Sequence, residues 1–196
     1  YPVDIADTSL ITLTDETKIL IDVSITNDAE DDKNKERYNV RRDLLDNELK
    51  KESDAPFLDA FILTHPDEDH IRGFDEYFYV GDPADYGKKD KEKEKILIGE
   101  LWYTPILFER YQDKLCDDAT AFKKEAKRRM DLYKSDKKKA DKNGNRIRIV
   151  GYSDSKELEG FEERIVVPGS VISEFNGNKK DDFRLFIHAP FKEEID

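Results

Sequence analysis

The sequence has little of what ties a small secreted domain together or carries a chain into a membrane. Its one cysteine, Cys116, has no partner for an internal disulfide, which favours a reducing compartment, and we expect a cytoplasmic location. No apolar run reaches the roughly 18 residues of a membrane span, so we expect no membrane partner. No basic segment followed by an apolar core opens the chain, and we expect no signal peptide.

Apolar residues are also scarce for a compact domain. Hydrophobic residues make up 37% of the 196 residues and charged residues 41%, although the length is sufficient for one domain with a real core. Long solvated insertions would reconcile the two observations. We therefore predict one domain over residues 1–196, with charged insertions near 28–37, 81–95 and 134–146.

Histidine is rare, yet two of the three histidines lie in the segment 65–70, which reads HPDEDH. Neutral imidazoles and carboxylates are ligands of Zn, Mn and Fe, and their spacing here lets a loop curl around two ions. The pattern predicts a dinuclear metal site with four ligands: His65, Asp67, Asp69 and His70. The alternative is an Asp-rich surface turn in which Asp69 caps a helix.

A nearly unbroken apolar run at 57–63 directly precedes this segment, and Thr64 ends it. Such a run is typical of a strand that is covered on both faces. Functional residues of layered α/β folds concentrate on loops at the carboxyl ends of strands. We therefore expect the candidate ligands to follow a buried strand of the sheet.

Periodicity predicts the remaining elements. Val40, Leu44, Leu45 and Leu49 fall on one face of an amphipathic helix, and a second strand covers 95–104. From Asp117, apolar residues recur at three and four positions, which predicts a long helix with a glycine cap near 143–145. The last predicted strands lie at 147–150, 164–167, 171–175 and 183–188.

Strand-like stretches at 10–13 and 18–22, a helix, a strand and then the residues 64–74, THPDEDHIRGF, resemble the amino-terminal half of a metallo-β-lactamase-fold hydrolase. Within that superfamily the chain is most similar to the branch typified by the hydrolase domain of bacterial competence DNA-uptake proteins. The usual motif H-x-H-x-D-H has Asp67 in place of its second histidine here. The resemblance implies an α/β fold, an αββα sandwich.

The resemblance also implies a role for each residue of the motif. His65 and Asp67 would hold one metal ion, and Asp69 and His70 would hold the other. Asp69 would in addition orient the attacking water and so act as a catalytic residue. The implied cofactors are two divalent ions, Zn or Mn, and the carboxylate-rich ligand set leans toward Mn.

Three further residues receive roles, and for two of them, Asp22 and His188, an alternative stays open. Asp22 matches the aspartate that supports the ligand loop in this family, together with Thr64, whereas by itself Asp22 is also a typical turn residue after a strand. His188 would complete the first metal site with His65 and Asp67, whereas a histidine at a strand end is more often structural.

The second half of such a fold brings a bridging aspartate and further histidines, and neither is found after His70 apart from His188. We therefore expect residues 1–196 to be the amino-terminal part of the domain. The second half would come from the same longer chain or from a complementary chain. Without it, we expect one face of the strand at 57–63 to be uncovered and the fragment to be inactive.

The expected function is that of a metal-dependent hydrolase, in which two ions lower the pKa of a bridging water. From Lys123 to Arg148 there are 12 Lys or Arg against 4 Asp or Glu, and Lys137, Lys138 and Lys139 could contact a phosphate backbone. Phosphodiester substrates, as in a nuclease or a nucleotide phosphodiesterase, are thus favoured. Two alternatives stay open: a solvated helix face for the basic segment, and a degenerate binding or regulatory module without catalysis for the whole chain.

Overall fold

A computed structural model of the chain describes residues 1–3, 6–26, 38–105, 108, 114–151 and 158–189. Its main feature is a mostly parallel sheet in the order β1, β2, β4, β5, β6, β7, with β3 paired antiparallel to the start of β4. Only β1 is antiparallel to its neighbour along that path. The fold is therefore α/β, as expected. The strands are β1 (Ser9–Thr12), β2 (Lys18–Ile21), β3 (Lys50–Glu52), β4 (Ala55–Ile62), β5 (Leu97–Tyr103), β6 (Arg146–Val150) and β7 (Ile165–Val166).

The helices are short except for one. They are α1 (Val40–Asp43), α2 (Glu68–Ile71), α3 (Phe74–Tyr77), α4 (Lys88–Glu92), α5 (Asp117–Ser135) and α6 (Lys137–Ala140), with a π-helical turn at Leu44–Glu48 and a 3-10 turn at Pro83–Asp85. The predicted first helix ends earlier than its apolar pattern, because Leu49 is already extended. The predicted long helix is interrupted at Asp136, whose side chain accepts a hydrogen bond from the Lys139 amide and so begins α6. None of the helices described here is long and apolar enough to cross a membrane.

Both faces of the sheet are covered. Leu20 and Leu101 pack into one apolar cluster with residues of α5, while their neighbours Ile19 and Trp102 pack into another on the opposite face. The second face is covered by four short strands: β8 (Val171–Ile172), β9 (Glu174–Phe175), β10 (Asn178–Lys179) and β11 (Leu185–Phe186). Strands β9 and β10 form a hairpin, and β8 pairs antiparallel with β11.

The expectation that the strand at 57–63 has one uncovered face is wrong. Every residue of β4 is buried or half-buried. The reason is that the segment after β7 folds back over the sheet, where the Phe175 ring stacks on Trp102 with centroids 5.8 Å apart. The long predicted strands at 171–175 and 183–188 are consequently broken into the shorter strands of this covering layer.

Two of the three expected insertions are folded against each other. The Lys139 ammonium pairs with the Asp82 carboxylate. Gly144 has a φ of +84°, and a Cβ there would lie 2.3 Å from Pro83 Cγ, so this contact requires glycine. The segment 28–37 lies outside the described residues.

Candidate metal centre

The candidate ligands lie on the loop that follows β4 and on the first turns after it. Asp67 is extended, with φ −73° and ψ 148°, and immediately precedes α2, but its side chain makes no capping hydrogen bond. Asp69 lies inside the first turn of α2 rather than at its cap. Asp69 therefore does not cap the helix, and it is Asp67 that stands at the cap position.

Asp22 ties this loop to the sheet. Its amide donates to the Ile62 carbonyl at 2.9 Å, and its side chain is almost fully buried. Oδ1 accepts from the Thr64 amide at 2.7 Å, and Oδ2 accepts from the Thr64 hydroxyl at 2.5 Å. Oδ2 also lies 2.8 Å from Nδ1 of His70. Because β2 and β4 are parallel neighbours, Asp22 and Thr64 meet at their carboxyl ends.

His70 is held with only one ring nitrogen available. The residue is 9% exposed, and its carbonyl accepts from the Val23 amide at 2.9 Å. The carboxylate of Asp22 accepts a hydrogen bond from Nδ1–H, and in the neutral ring this tautomer has its lone pair on Nε2. Nε2 lies 3.7 Å from Asp69 Oδ2 and 3.9 Å from Asp7 Oδ2. These distances exceed hydrogen-bond length, so Nε2 faces two carboxylates without bonding to either.

His65 and Asp67 form a second pair of possible metal-binding side chains, next to the pair formed by His70 and Asp69. Its Nδ1 lies 3.1 Å from the Thr64 hydroxyl oxygen, and its Nε2 lies 3.2 Å from Asp67 Oδ2. The rings of His65 and His70 are adjacent, with centroids 3.7 Å apart. The loop thus brings all four candidate ligands together at one edge of the sheet.

The donor atoms fit a divalent ion in kind and nearly in position. Two donors about 2.0–2.2 Å from one ion lie roughly 3–3.5 Å apart at tetrahedral or octahedral angles. His65 and Asp67 meet this separation, whereas the two carboxylates near His70 are a few tenths of an ångström too far. Within the described ranges, no three His, Cys, Asp or Glu side chains are already grouped so that they could hold an ion.

Rotation of exposed carboxylates would close the remaining gap. The side chains are 75% exposed at Asp7, 45% at Asp67 and 42% at Asp69, so solvent leaves them free to turn. The histidines, by contrast, are oriented by Thr64 and the buried Asp22. A cluster of carboxylates around two imidazoles also attracts cations electrostatically.

The structure does not bring His188 to this loop. It lies beyond the end of β11 and is exposed, and its ring stands edge-on to Phe186 with centroids 4.6 Å apart. No hydrogen bond or ion pair joins it to the ligand loop in the part of the chain that the structure describes. A strand-end histidine in a surface contact is therefore what the structure supports.

The basic segment carries less free charge than its composition indicates. Lys139 pairs with Asp82 and Lys137 lies 3.7 Å from Glu163, although the side chains of Lys137 and Lys139 stay 60% and 42% exposed. Lys138 is exposed as well. Arg129 is fully buried against Glu125. Part of the positive charge is thus neutralised within the fold, and phosphate binding by Lys137, Lys138 and Lys139 stays a prediction.

Cys116 precedes α5, and its Sγ accepts from the Ala119 amide at 3.4 Å. Burial raises the pKa of this thiol above its usual range. A raised pKa keeps the sulfur protonated near neutral pH, so the cysteine is a structural residue at the helix start.

Sequence reasoning missed one residue of the centre, Asp7. The signal for it was present in the two predicted strands, because an antiparallel pairing places residues before the first strand beside those after the second. The observed register joins Ser9 to Ile21, which brings Asp7 next to the turn after β2.

No protein-family model, curated protein or solved structure matches the chain.

Proposed function

We propose that this chain contributes the metal-binding part of a hydrolase with an αββα metallo-β-lactamase-like fold, acting on phosphodiester bonds. The observation that carries the proposal is the contact between the buried Asp22 carboxylate and His70. A carboxylate behind a histidine is the usual support of a metal-bound imidazole, because it sets both the tautomer and the ring orientation. A surface turn without a ligand has no need of this arrangement.

The residues of the centre divide into fixed and adjustable donors. His65 and His70 would bind the ions through Nε2, since Thr64 and Asp22 contact the other nitrogen of each ring. Asp67 and Asp69 would bind through exposed carboxylates that can adapt to the ion. Divalent ions at such a site supply a water of lowered pKa and a positive clamp on the substrate oxygens.

Asp69 is the residue that we assign to orient the attacking water. Its carboxylate lies within the first turn of α2 and is 42% exposed, so one oxygen can face His70 Nε2 while the other faces solvent. A carboxylate in that position accepts a proton from water that approaches the substrate.

Basic side chains along α5 favour a phosphodiester substrate. The Asp118 carboxylate in the first turn of α5 accepts from the amides of Gly73 and Asp75 at 2.9 and 2.8 Å, which docks the helix on the chain that leaves α2. Further along α5 lies an open depression of about 520 Å³, whose wall contains Lys123, Lys124, Lys127 and Arg128 together with Asp131. Basic side chains along one helix face attract a chain of phosphates.

A non-catalytic binding or regulatory module on the same fold is the second candidate. It is favoured by the lack of a preformed group of three ligands in the described parts of the chain. The adjacent, mutually tilted imidazoles of His65 and His70 would then be a structural pair. Metal uptake separates the two candidates, since a degenerate module has no reason to hold two ions.

The test is equilibrium dialysis of the purified protein against MnCl2 or ZnCl2, followed by elemental analysis. We expect two ions per chain, because the loop presents two neighbouring donor pairs. The loaded full-length protein is then assayed on bis(p-nitrophenyl) phosphate and on single-stranded and double-stranded DNA, with and without chelator. Absence of bound metal, or hydrolysis insensitive to chelator, would overturn the proposal.

Residues 1–196 alone are expected to bind metal without turning over substrate. The described residues offer about five donors, and none of them bridges the two donor pairs in the way that sets the spacing of a dinuclear centre. The assay is the same one, with these residues purified by themselves. Chelator-sensitive hydrolysis that disappears in Asp69→Ala would contradict this expectation and show that the donors present are sufficient.

A further inference from the structure

We propose that Asp7, which lies outside the HPDEDH segment, is a third protein ligand of the ion bound by Asp69 and His70. This inference rests on the proposed function and extends it to a residue that the motif does not contain. The ion bound there would be a divalent cation that prefers oxygen donors. Asp7 comes from the chain before β1, so the centre would be built from two separate segments.

The buried histidine points to this site. His70 is 9% exposed, and its Nδ1 is hydrogen-bonded to Asp22, so Nε2 is the ring nitrogen of His70 that can bind an ion. Asp7 Oδ2 lies 3.9 Å from Nε2, close to the 3.7 Å that separates Asp69 Oδ2 from the same atom. Asp7 therefore lies almost as close to His70 Nε2 as Asp69 does, and it is placed equally well to bind an ion held by that nitrogen.

The backbone at Asp7 is anchored while its carboxylate is left free. The hydroxyl oxygen of buried Thr8 accepts from the Ser24 amide at 2.8 Å, and the Thr8 carbonyl accepts from the amino terminus at 2.9 Å. The Asp7 side chain is 75% exposed and pairs with no Lys or Arg among the described residues. A carboxylate held beside a buried imidazole, with no cation of the protein to neutralise it, is suited to a bound cation.

Adding Asp7 makes the two halves of the centre chemically different. The His65 side offers one imidazole and one carboxylate, whereas the His70 side offers one imidazole and two carboxylates. Carboxylate-rich sets suit Mn²⁺ better than sets richer in imidazole do. We therefore expect the ion at His70 to be the one more readily exchanged for Mn²⁺.

The experiment compares Asp7→Asn with Glu68→Gln in dialysis against MnCl2, read by elemental analysis and by the Mn²⁺ electron paramagnetic resonance spectrum. Asparagine keeps the size of Asp7 and removes its charge. Glu68 is a neighbouring exposed carboxylate that pairs with Arg72 at 3.3 Å instead of with His70, so Glu68→Gln controls for a general loss of negative charge.

We expect Asp7→Asn to lose one of two ions, or to raise the Kd of that ion by at least the roughly 10–100-fold that changes in supporting residues of metal sites already cause. Glu68→Gln should retain both ions, and thermal unfolding of the metal-free proteins should be the same. Equal metal binding by the two variants would overturn the assignment of Asp7. If His70→Ala loses metal in the same series, the proposed function survives that failure, whereas a wild-type protein without metal overturns both proposals.

Discussion

Asp69→Ala and His70→Ala are each expected to reduce the metal content of the protein and to abolish metal-dependent hydrolysis. His70 supplies the one oriented nitrogen of its donor group, and Asp69 supplies a charged oxygen next to it. Changes in supporting residues of metal sites already cost about 10–100-fold in affinity, so loss of a direct ligand should cost at least as much. Elemental analysis after dialysis against MnCl2 measures the effect.

The two variants differ in what else they disturb. His70→Ala also removes a hydrogen bond to the buried Asp22 carboxylate, which keeps the two from Thr64, and a hydrogen bond to a charged group contributes about 1.5–3 kcal/mol of stability. Asp69→Ala alters a half-exposed side chain and should leave the free energy of unfolding nearly unchanged. Unchanged metal content in folded Asp69→Ala and His70→Ala would rule out this loop as the metal site.

Glu125→Ala is expected to lower the stability of the fold more than any surface change. The carboxylate of Glu125 is fully buried and lies 2.7 Å from Arg129 Nε, and it also accepts from the Gly81 amide at 3.0 Å. Burial lowers the pKa of Arg129, which shows that its charge is desolvated and relies on the neighbouring carboxylate. Removing one partner of a buried ion pair typically costs about 3–5 kcal/mol.

Urea unfolding followed by circular dichroism measures this loss. For a domain of this size it corresponds to a fall in Tm of roughly 6–20 °C. Glu92→Ala is the matched control, because Glu92 pairs with Lys88 on an exposed face of α4, and such pairs contribute little. Glu125→Gln keeps the acceptor oxygen and should lose less. Similar midpoints for Glu125→Ala and Glu92→Ala would show that Arg129 finds compensation elsewhere.

Arg129 shows that the composition of the basic segment overstates the positive charge at its surface. Its guanidinium donates to the carbonyls of Ile98 at 3.0 Å and Arg146 at 2.8 Å, so this charge links α5 to the ends of two strands. A single sequence shows the charge of a side chain but not the carbonyl groups that face it. Other basic side chains of the segment, Lys123 and Lys124 among them, line the depression along α5.

The sequence by itself determined those features that depend on local chemistry. The apolar run before Thr64 predicted β4, the apolar repeat after Asp117 predicted α5, and the HPDEDH segment appeared where a strand ends. Periodicity predicts such elements because burial of one face is a local property of the pattern. The bounds shifted where side chains compete with the backbone, as at Asp136.

Only the tertiary structure decided which distant residues meet. Asp7 lies near His70 because β1 pairs with β2 while β2 pairs with β4. The two predicted strands indicate the first pairing, but the second pairing carries no local sequence signal. The same holds for the two strand pairs, β8 with β11 and β9 with β10, that cover the second face of the sheet, since each of their strands is only two residues long. Contacts between segments far apart in the chain depend on register and packing, which a single sequence specifies only collectively.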